Sequence, residues 1–180
     1  EAVVLLSSAT GADLTTGAGL AAAAINTFGL SGSDMTRVTN LMTGAIIRSG
    51  MSAENFGFAM QMVGAVAKLV GLSIDDTTLA LAAMAKAGIQ GSDAGTSLKV
   101  MLLNLQPSTK TAAAVMKELG IITASGGNQF FDATGKVKSY DEISKVLAQS
   151  LRGLSEKQRI AALEAMFGTD AIRAAAIAAE

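Results

Sequence analysis

Apolar side chains recur at intervals of three and four residues along most of the chain, and this period predicts amphipathic α-helices. The pattern predicts helices over 13–28, 32–49, 53–70, 74–87 and 93–106. The third of these is the most apolar, so we expect it near the centre of the fold. Its apolar side carries Phe56, Met60, Val63, Val66, Ala67 and Val70.

Short junctions separate these helices and share one form, a glycine, an apolar residue and a serine. They are Gly29-Leu30-Ser31, Gly50-Met51-Ser52, Gly71-Leu72-Ser73 and the longer variant 88–93. Glycine in the left-handed conformation ends a helix, and a following Ser or Asp accepts hydrogen bonds from the first N–H groups of the next one. The spacing of Ser31 with Asp34 and of Ser73 with Asp76 is that of a capping box. We therefore interpret each junction as a helix end followed by a helix start.

The spacing of the junctions allows two arrangements of the helices. Their glycines lie about 17 to 21 residues apart, so a pair of helices occupies about 38 to 42 residues, within the range of HEAT-like paired-helix arrays. The helix faces do not repeat recognisably, however. An irregular antiparallel bundle with short loops needs no such repeat, and we favour it.

The second half of the chain contains further helices and one segment of different residue composition. Pro107 ends the fifth helix, and Ser108 or Thr109 caps a sixth that runs to Leu119-Gly120. Residues 121–138 combine glycines with β-branched and aromatic residues around the turn Asp132-Ala133-Thr134-Gly135, which predicts a small β-hairpin. Capping boxes at Ser139 and Ser155 open helices to about 154 and to 167, and Thr169 caps the last segment.

The pattern as a whole predicts an all-α fold, an irregular bundle of about eight or nine short helices with one small β-hairpin near 121–138. We divide the chain into an N-terminal helical part, 1–107, and a C-terminal part with the hairpin, 108–180. We expect the two to form one continuous module cut from a longer chain.

Composition supports the helical prediction and removes whole classes of function. Half of the 180 residues are apolar, with one proline, one tyrosine and no tryptophan. A net charge of −1 gives no basic excess for binding nucleic acid through its phosphates. Because the chain has neither histidine nor cysteine, it has no Ser-His-Asp or Cys-His machinery, no thiolate or imidazole metal ligand and no disulfide.

Three stretches invite a chemical interpretation, and each has a more economical structural one. The glycine-rich stretch 88–97, followed by Lys99, lacks the Gly-Lys-Ser/Thr of a phosphate loop and fits a helix–helix turn. The adjacent carboxylates Asp75 and Asp76 fit a helix N-terminus, where neighbouring side chains do not face each other. The Asp132 turn lacks the later carboxylates of a calcium loop. We therefore predict no catalytic residue, no cofactor site and no metal site.

Surplus apolar surface is the one functional signal in the composition. The alanine-rich helix 13–28 and the nearly uncharged helix 74–87 predict faces buried against other copies or against other parts of the chain. We interpret the methionines as core residues because they fit the helical stripes. They are Met35, Met42, Met60, Met84, Met101 and Met116. The run 56–72 is interrupted by Gln61 and Lys68, so it is better explained as a buried amphipathic helix than as a membrane span.

The order of the motifs strongly resembles the core region of phage tail tape measure proteins. In the first half the resemblance lies in Phe28-Gly29-Leu30-Ser31, Ser52-Ala53-Glu54, Val63-Gly64-Ala65-Val66-Ala67, Gly71-Leu72-Ser73-Ile74-Asp75-Asp76 and the run 81–98. In the second half it lies in Leu119-Gly120-Ile121, the Asp132-x-x-Gly135-Lys136 turn and the run 154–168. It covers about residues 10–180.

The resemblance implies a structural role in the tail of a long-tailed phage or a prophage. Tape measure proteins are long helical chains inside the tail tube that set its length and leave it ahead of the DNA. This segment would be a folded module and not the extended ruler. The implied partners are tail-tube, tail-tip and assembly-chaperone proteins. The surplus apolar faces predict self-association, the charge balance predicts no sequence-specific nucleic acid, and contact with a membrane during infection stays open. The implied location is the virion, and the host cytoplasm during assembly. Two alternatives stay open. One is a membrane-active helical segment that assists DNA passage, which the run 56–88 suggests, and the other is a muralytic enzyme fragment.

Overall fold

The computed structural model describes residues 2–180, which form ten α-helices. The first six, numbered α1 to α6 in chain order, are Ala2–Thr10, Leu14–Phe28, Met35–Ser49, Ala53–Val70, Ile74–Lys86 and Gly91–Leu103. The last four, α7 to α10, are Lys110–Glu118, Tyr140–Ser150, Glu156–Phe167 and Ile172–Ala178. The all-α prediction is confirmed, although the number of helices is slightly higher than predicted, because α1 was missing from the prediction.

Most helices begin at the side-chain caps that the sequence predicts. The hydroxyls of Ser52, Ser73, Thr109, Ser139 and Ser155 each accept a hydrogen bond from the N–H three residues on. The predicted cap at Thr169 is wrong, because Ala171 occupies the capping position of α10 and makes no side-chain bond there. The capping box of Ser31 and Asp34 forms as predicted, but it encloses a 3-10 turn at Gly32–Asp34 that precedes α3.

The predicted glycine helix ends are also present. At Gly71 the backbone has a φ of 87°, in the left-handed region. The next N–H, that of Leu72, reaches back to the carbonyl oxygen of Ala67 at 2.8 Å, and the Leu72 side chain is buried over the last turn. This pattern, in which the apolar residue folds back on its own helix, satisfies the open carbonyl groups of α4.

The first six helices lie in two layers. One contains α1, α3 and α5 and the other α2, α4 and α6, and within each layer helices two positions apart in sequence pack side by side. Helices α4 and α6 run parallel: Asn55 and Gln90 hydrogen-bond near their starts, and Gly95 meets Ala59 and Met62 farther along. This is the stacking order of a paired-helix array. The junction spacing therefore indicates the arrangement of the first half, and the predicted irregularity lies in the second.

The second half packs onto one end of this array. Helix α10 lies against α5 and α6 and also contacts α8 and α9, while α7 packs on α9. The buried apolar side chains form one cluster that extends from Leu6 to Ala178. Two polar contacts hold α10 on α6: Arg173 pairs with Asp93, and the backbone N–H of Ala174 donates to the buried Ser97 hydroxyl at 3.2 Å. The division at residue 107 stays a prediction.

The predicted β-hairpin over 121–138 is wrong, since residues 2–180 contain no strand. Two tight turns form instead, each closed by a single antiparallel pairing, Ile122 with Asn128 and Phe131 with Val137. Tertiary partners replace the missing ladder. The buried Phe130 ring packs 6.4 Å from that of Phe167, and the amide groups of this segment bond outside it, as the Asn128 side chain does to the Leu105 carbonyl oxygen at 2.8 Å. None of the helices described has the length and hydropathy needed to cross a membrane.

Candidate interaction surface

The glycine-rich stretch 88–97 is a helix–helix turn followed by a close helix contact. The N–H of Ile89 donates to the Met84 carbonyl oxygen at 2.9 Å, which ends α5, and Gly91 then begins α6. Gly95 lies buried where α6 crosses α4, and a Cβ at this position would collide with the carbonyl oxygen of Ala59. The glycines therefore serve packing, as the structural interpretation predicts.

The adjacent carboxylates Asp75 and Asp76 have different partners. Arg37 Nη1 donates to both carboxylate oxygens of Asp75, at 3.0 and 2.8 Å, on the outside of α3 and α5. Asp76 accepts from the Ser73 hydroxyl and, through Oδ1, from the backbone N–H of Tyr140 at 2.9 Å. The predicted capping box of Ser73 and Asp76 is therefore incomplete, because Asp76 accepts from the Ser73 hydroxyl and its carboxylate caps α8 instead of α5. The two side chains act as separate structural ties, and they do not form an acid–base pair.

The Asp132 carboxylate is used within its own turn. Its Oδ1 accepts from the backbone N–H groups of Thr134 and Lys136, at 2.8 and 3.0 Å, and from the Thr134 hydroxyl. The Thr134 hydroxyl bond, followed by these backbone donors, lowers the pKa of Asp132. Across residues 2–180, no three acidic side chains come together in a group that could hold a metal ion.

The methionines fill the core, as predicted. Met42, Met60, Met84, Met101 and Met116 are buried, and Met35 packs against the core while partly exposed. Met62 is different, because 37% of it is exposed on the outer side of α4.

The outer side of α4 carries a row of exposed apolar side chains, which we call the α4 ridge: Phe58, Met62, Ala65 and Leu69. These positions are four, three and four residues apart, so they share one face of the helix. Phe58 is 53% exposed and Leu69 78%. The opposite side of α4 is the buried one, with Phe56, Met60 and Val63 in the core. Helix α4 is therefore apolar on two sides.

Beside the ridge lies a groove between α2 and α4, which we call the α2–α4 groove. It encloses about 290 Å³, and its α2 wall contains Thr16, Gly19 and Ala23. A Cβ on Gly19 would meet no atom within 4 Å, so this wall is open to the outside. After Leu14, which is itself exposed, the exposed side of α2 consists mainly of small side chains, and the helix has no charged residue over its 15 positions. The surplus face that the sequence predicts for α2 is thus exposed in the structure.

A second groove, of about 340 Å³, lies between α3 and α5 in the other layer. Leu79, which is 52% exposed, lines it together with Gly44 and Ala82, and Arg48 and Lys86 lie at one end. Both cations occupy the last turns of their helices, where they complement the helix dipole. Asp75 also lines this groove, so charged side chains of both signs border it.

The α2 face could be predicted from the sequence, and the α4 ridge was not predicted. The predicted apolar side of α4 runs from Phe56 to Val70 without Phe58, Met62 or Leu69, which were left unassigned. The signal was present, because Phe58, Met62 and Leu69 recur at helical spacing on that second side. The packing of α2 and α6 covers the first apolar side of α4 and leaves this second side uncovered.

Comparison with known proteins gives a family and two relatives. The model of the family described as phage-related minor tail protein matches residues 1–168. The tape measure protein of Pneumococcus phage Dp-1 is 28% identical over 94% of this chain, which corresponds to 14% of that protein. The probable tape measure protein of Escherichia phage P2 is 28% identical over 83% of this chain, or 18% of that protein. The chain therefore spans less than a fifth of the length of these relatives. No solved structure gives a significant match.

Proposed function

The chain belongs to the phage-related minor tail protein family, and from this premise we propose that it is a folded structural module of a tape measure protein. In this role it acts in tail assembly as one part of the protein that determines tail length, and it leaves the tail with or ahead of the DNA during genome delivery. The observation that carries the proposal is the family match over nearly the whole chain, together with the similarity of the chain to two tape measure proteins.

The fold supports a compact module in preference to a stretch of the ruler. A single helix of this length would extend about 270 Å, at 1.5 Å per residue. A compact domain of the same length has a radius of gyration of about 16 Å. Because the ten helices pack around one core, the module itself contributes little to tail length.

An in-frame deletion in a phage that carries this chain tests the proposal. Removal of residues 14–178 from a ruler should shorten the tail by up to about 250 Å, at the helical rise per residue. We expect instead that few tails assemble, and that those which do are not shortened in proportion. Electron microscopy of tails from the deletion mutant, beside a mutant with an equal deletion elsewhere in the same protein, measures this. If both deletions shorten the tail in proportion to the number of residues removed, the proposal of a folded module is refuted.

The implied partners and location belong to the same proposal. We propose contacts with tail-tube, tail-tip and assembly-chaperone proteins, a place inside the tail of the virion, and residence in the host cytoplasm during assembly. The relatives are phage tail components by name, and neither is named as an enzyme. Crosslinking in purified tails, followed by mass spectrometry, identifies the neighbours of α4 and α2 directly.

The packing of α4 weighs against the membrane-active alternative. Phe56, Met60, Val63 and Ala67 lie in the core, and Gly71 divides the run 56–88 into two helices. Insertion of this run into a bilayer would require the array to open. Leakage of dye from liposomes at temperatures below unfolding would support the alternative, and we expect none.

A further inference from the structure

We propose that the groove between α3 and α5 binds one helix of a different protein, an amphipathic helix with carboxylate side chains in its first turn. The proposal goes beyond the tail role and does not rest on it. The occupant is identified by the register of the two helices, by the charge at one end of the groove and by the small side chains in its middle.

Helices α3 and α5 line the groove in one constant register. The Arg37–Asp75 ion pair, at 2.8 Å, joins their first turns across 38 positions of sequence. The same offset relates further pairs that line the groove, namely Leu41 and Leu79, Gly44 and Ala82, and Arg48 and Lys86. Arg48 and Lys86 each follow the ion pair by eleven residues, which is about three helical turns, so they lie on the same side roughly 16 Å farther along.

The two ends of the groove differ in their charge balance. At the first end Arg37 bonds both carboxylate oxygens of Asp75, so the two charges neutralise each other. At the second end neither Arg48 nor Lys86 forms an ion pair with any residue among 2–180. The carbonyl ends of α3 and α5 supply roughly half a negative charge each, which leaves about one positive charge unbalanced. This end of the groove therefore favours a carboxylate.

The middle of the groove consists of apolar and small side chains. Leu79 lines it while 52% exposed, and a Cβ on Gly44 would meet no atom within 4 Å. Small residues such as Gly44 and Ala82 allow the axis of another helix to come close. The volume of about 340 Å³ suits the side chains of one helix face, at positions i, i+3, i+4 and i+7. An extended segment would gain less here, because the helices offer no backbone edge for it to pair with.

Charge and dipole agree on the direction of the occupant. Arg48 and Lys86 lie in the last turns of α3 and α5. A carboxylate is most favourable in the first turn of its own helix, at the positive end of the dipole. An occupant whose first turn lies beside these two cations runs antiparallel to α3 and α5, so its dipole opposes theirs. Such an occupant is acidic in its first turn and apolar along the face that follows.

Fluorescence anisotropy with labelled synthetic peptides tests the proposal on the 180-residue chain. The probe is a helical peptide of about 15 residues, the length at which an isolated helix begins to be stable. It carries two glutamates in its first turn and one face of leucine and alanine. The comparison peptide is identical except for lysines in place of the glutamates. We expect the acidic peptide to bind roughly tenfold more tightly, and added salt to reduce the difference.

Charge reversal in the groove should reverse this preference. In a chain with both Arg48→Glu and Lys86→Glu, the lysine peptide should bind more tightly than the acidic one. The matched control is Lys117→Glu, which replaces a cation in the last turn of α7, outside the groove, and should leave the preference unchanged. Leu79→Ala should weaken the binding of the acidic peptide several-fold, because an apolar contact is lost. Far-ultraviolet circular dichroism checks that each variant is folded.

Several results would overturn the proposal. If neither peptide binds at millimolar concentration, the groove has no helical occupant. If both bind equally, or if the Arg48→Glu, Lys86→Glu chain keeps its preference for the acidic peptide, the assigned charges do not select the partner. If the chain binds vesicles of anionic phospholipid but not the acidic peptide, and Lys86→Glu abolishes that binding, the groove belongs to a lipid headgroup. Each of these results leaves the tail role standing, because that role rests on the family match.

Discussion

Replacement of Gly95 by alanine tests the closest helix contact of the array. In an open helix interior this change increases stability by about 1 kcal/mol, because alanine is the better helix former. In α6 the new Cβ would collide with the carbonyl oxygen of Ala59 and would lie 2.8 Å from the Cβ of Met62. Neither atom can move by a change of rotamer, since one belongs to the backbone and the other is fixed to it. The two helices must separate.

Overpacking of this kind costs about 1–3 kcal/mol. Part of that cost is offset by the better helix propensity, so we expect Gly95→Ala to lower the free energy of unfolding by about 1–2 kcal/mol. Urea titration followed by circular dichroism measures the change. In thermal unfolding it corresponds to a decrease in Tm of roughly 2–8 °C for a chain of this size.

Gly44→Ala provides the matched control, because it makes the same chemical change at a position without a close helix contact. It lies within α3, and a Cβ there would meet no atom within 4 Å. We expect Gly44→Ala to raise the free energy of unfolding by about 0.5–1 kcal/mol. The two substitutions should therefore have opposite signs. Equal stabilisation by both would show that α4 and α6 do not approach as closely as described.

Three further predictions follow from single side chains. Asp76→Ala should lower the free energy of unfolding by about 1–3 kcal/mol, as expected for loss of a charged hydrogen-bond acceptor. The loss should exceed that in Asp34→Ala, because Asp34 caps only its own turn whereas Asp76 also accepts from the N–H of Tyr140. Urea titration of the two variants compares the losses. Burial raises the pKa of Tyr140 to about 12, so the stability that this group contributes is present below its unfolded pKa of about 10 and is lost as the pH rises above it. As Tyr140 is the single tyrosine, phenolate absorbance should rise near pH 12 in the folded chain and near pH 10 in denaturant. Finally, the hydrogen bond from Arg173 lowers the pKa of Asp93. This pair therefore stabilises the fold above the ordinary carboxyl pKa, and its contribution is lost as the pH falls below about 4. In a plot of Tm against pH, Asp93→Asn should reduce the decrease in Tm at acid pH.

Features encoded within a few residues could be predicted from the sequence. The caps at Ser73, Ser139 and Ser155 and the glycine end at Gly71 are local, since each depends on hydrogen bonds between residues at most five apart. Thr169 failed as a predicted cap because α10 begins later, at Ile172, where it packs on α6.

Features that depend on long-range contacts could not be predicted. Residues 121–138 have the composition of a hairpin. Phe130, however, packs on Phe167, which lies more than thirty residues away, and this contact helps to set the conformation of the segment. Asp76 was predicted as a cap for α5, and nothing local indicated its second bond to α8.

The candidate surface shows the same limit. The pattern in α4 establishes which residues are apolar, but only the positions of α2 and α6 decide that Phe56 is covered and Phe58 is not. The spacing of the junctions indicated the order of the first six helices better than the helix faces did. The spacing gives the number of residues per helix pair, whatever side chains the helices themselves carry.

The two-layer order has a mechanical consequence. Helices α1, α2 and α3 contact mainly their neighbours within the array, and the second half of the chain packs instead on α5 and α6. A pulling force on the N-terminal end therefore peels these helices away one after another, with few contacts breaking at each step. Resistance rises at α4, which packs closely on α6, and again at α5, where Asp76 joins it to α8 across 64 residues of sequence. A chain drawn through a narrow passage would thus unravel in a fixed order, beginning at α1.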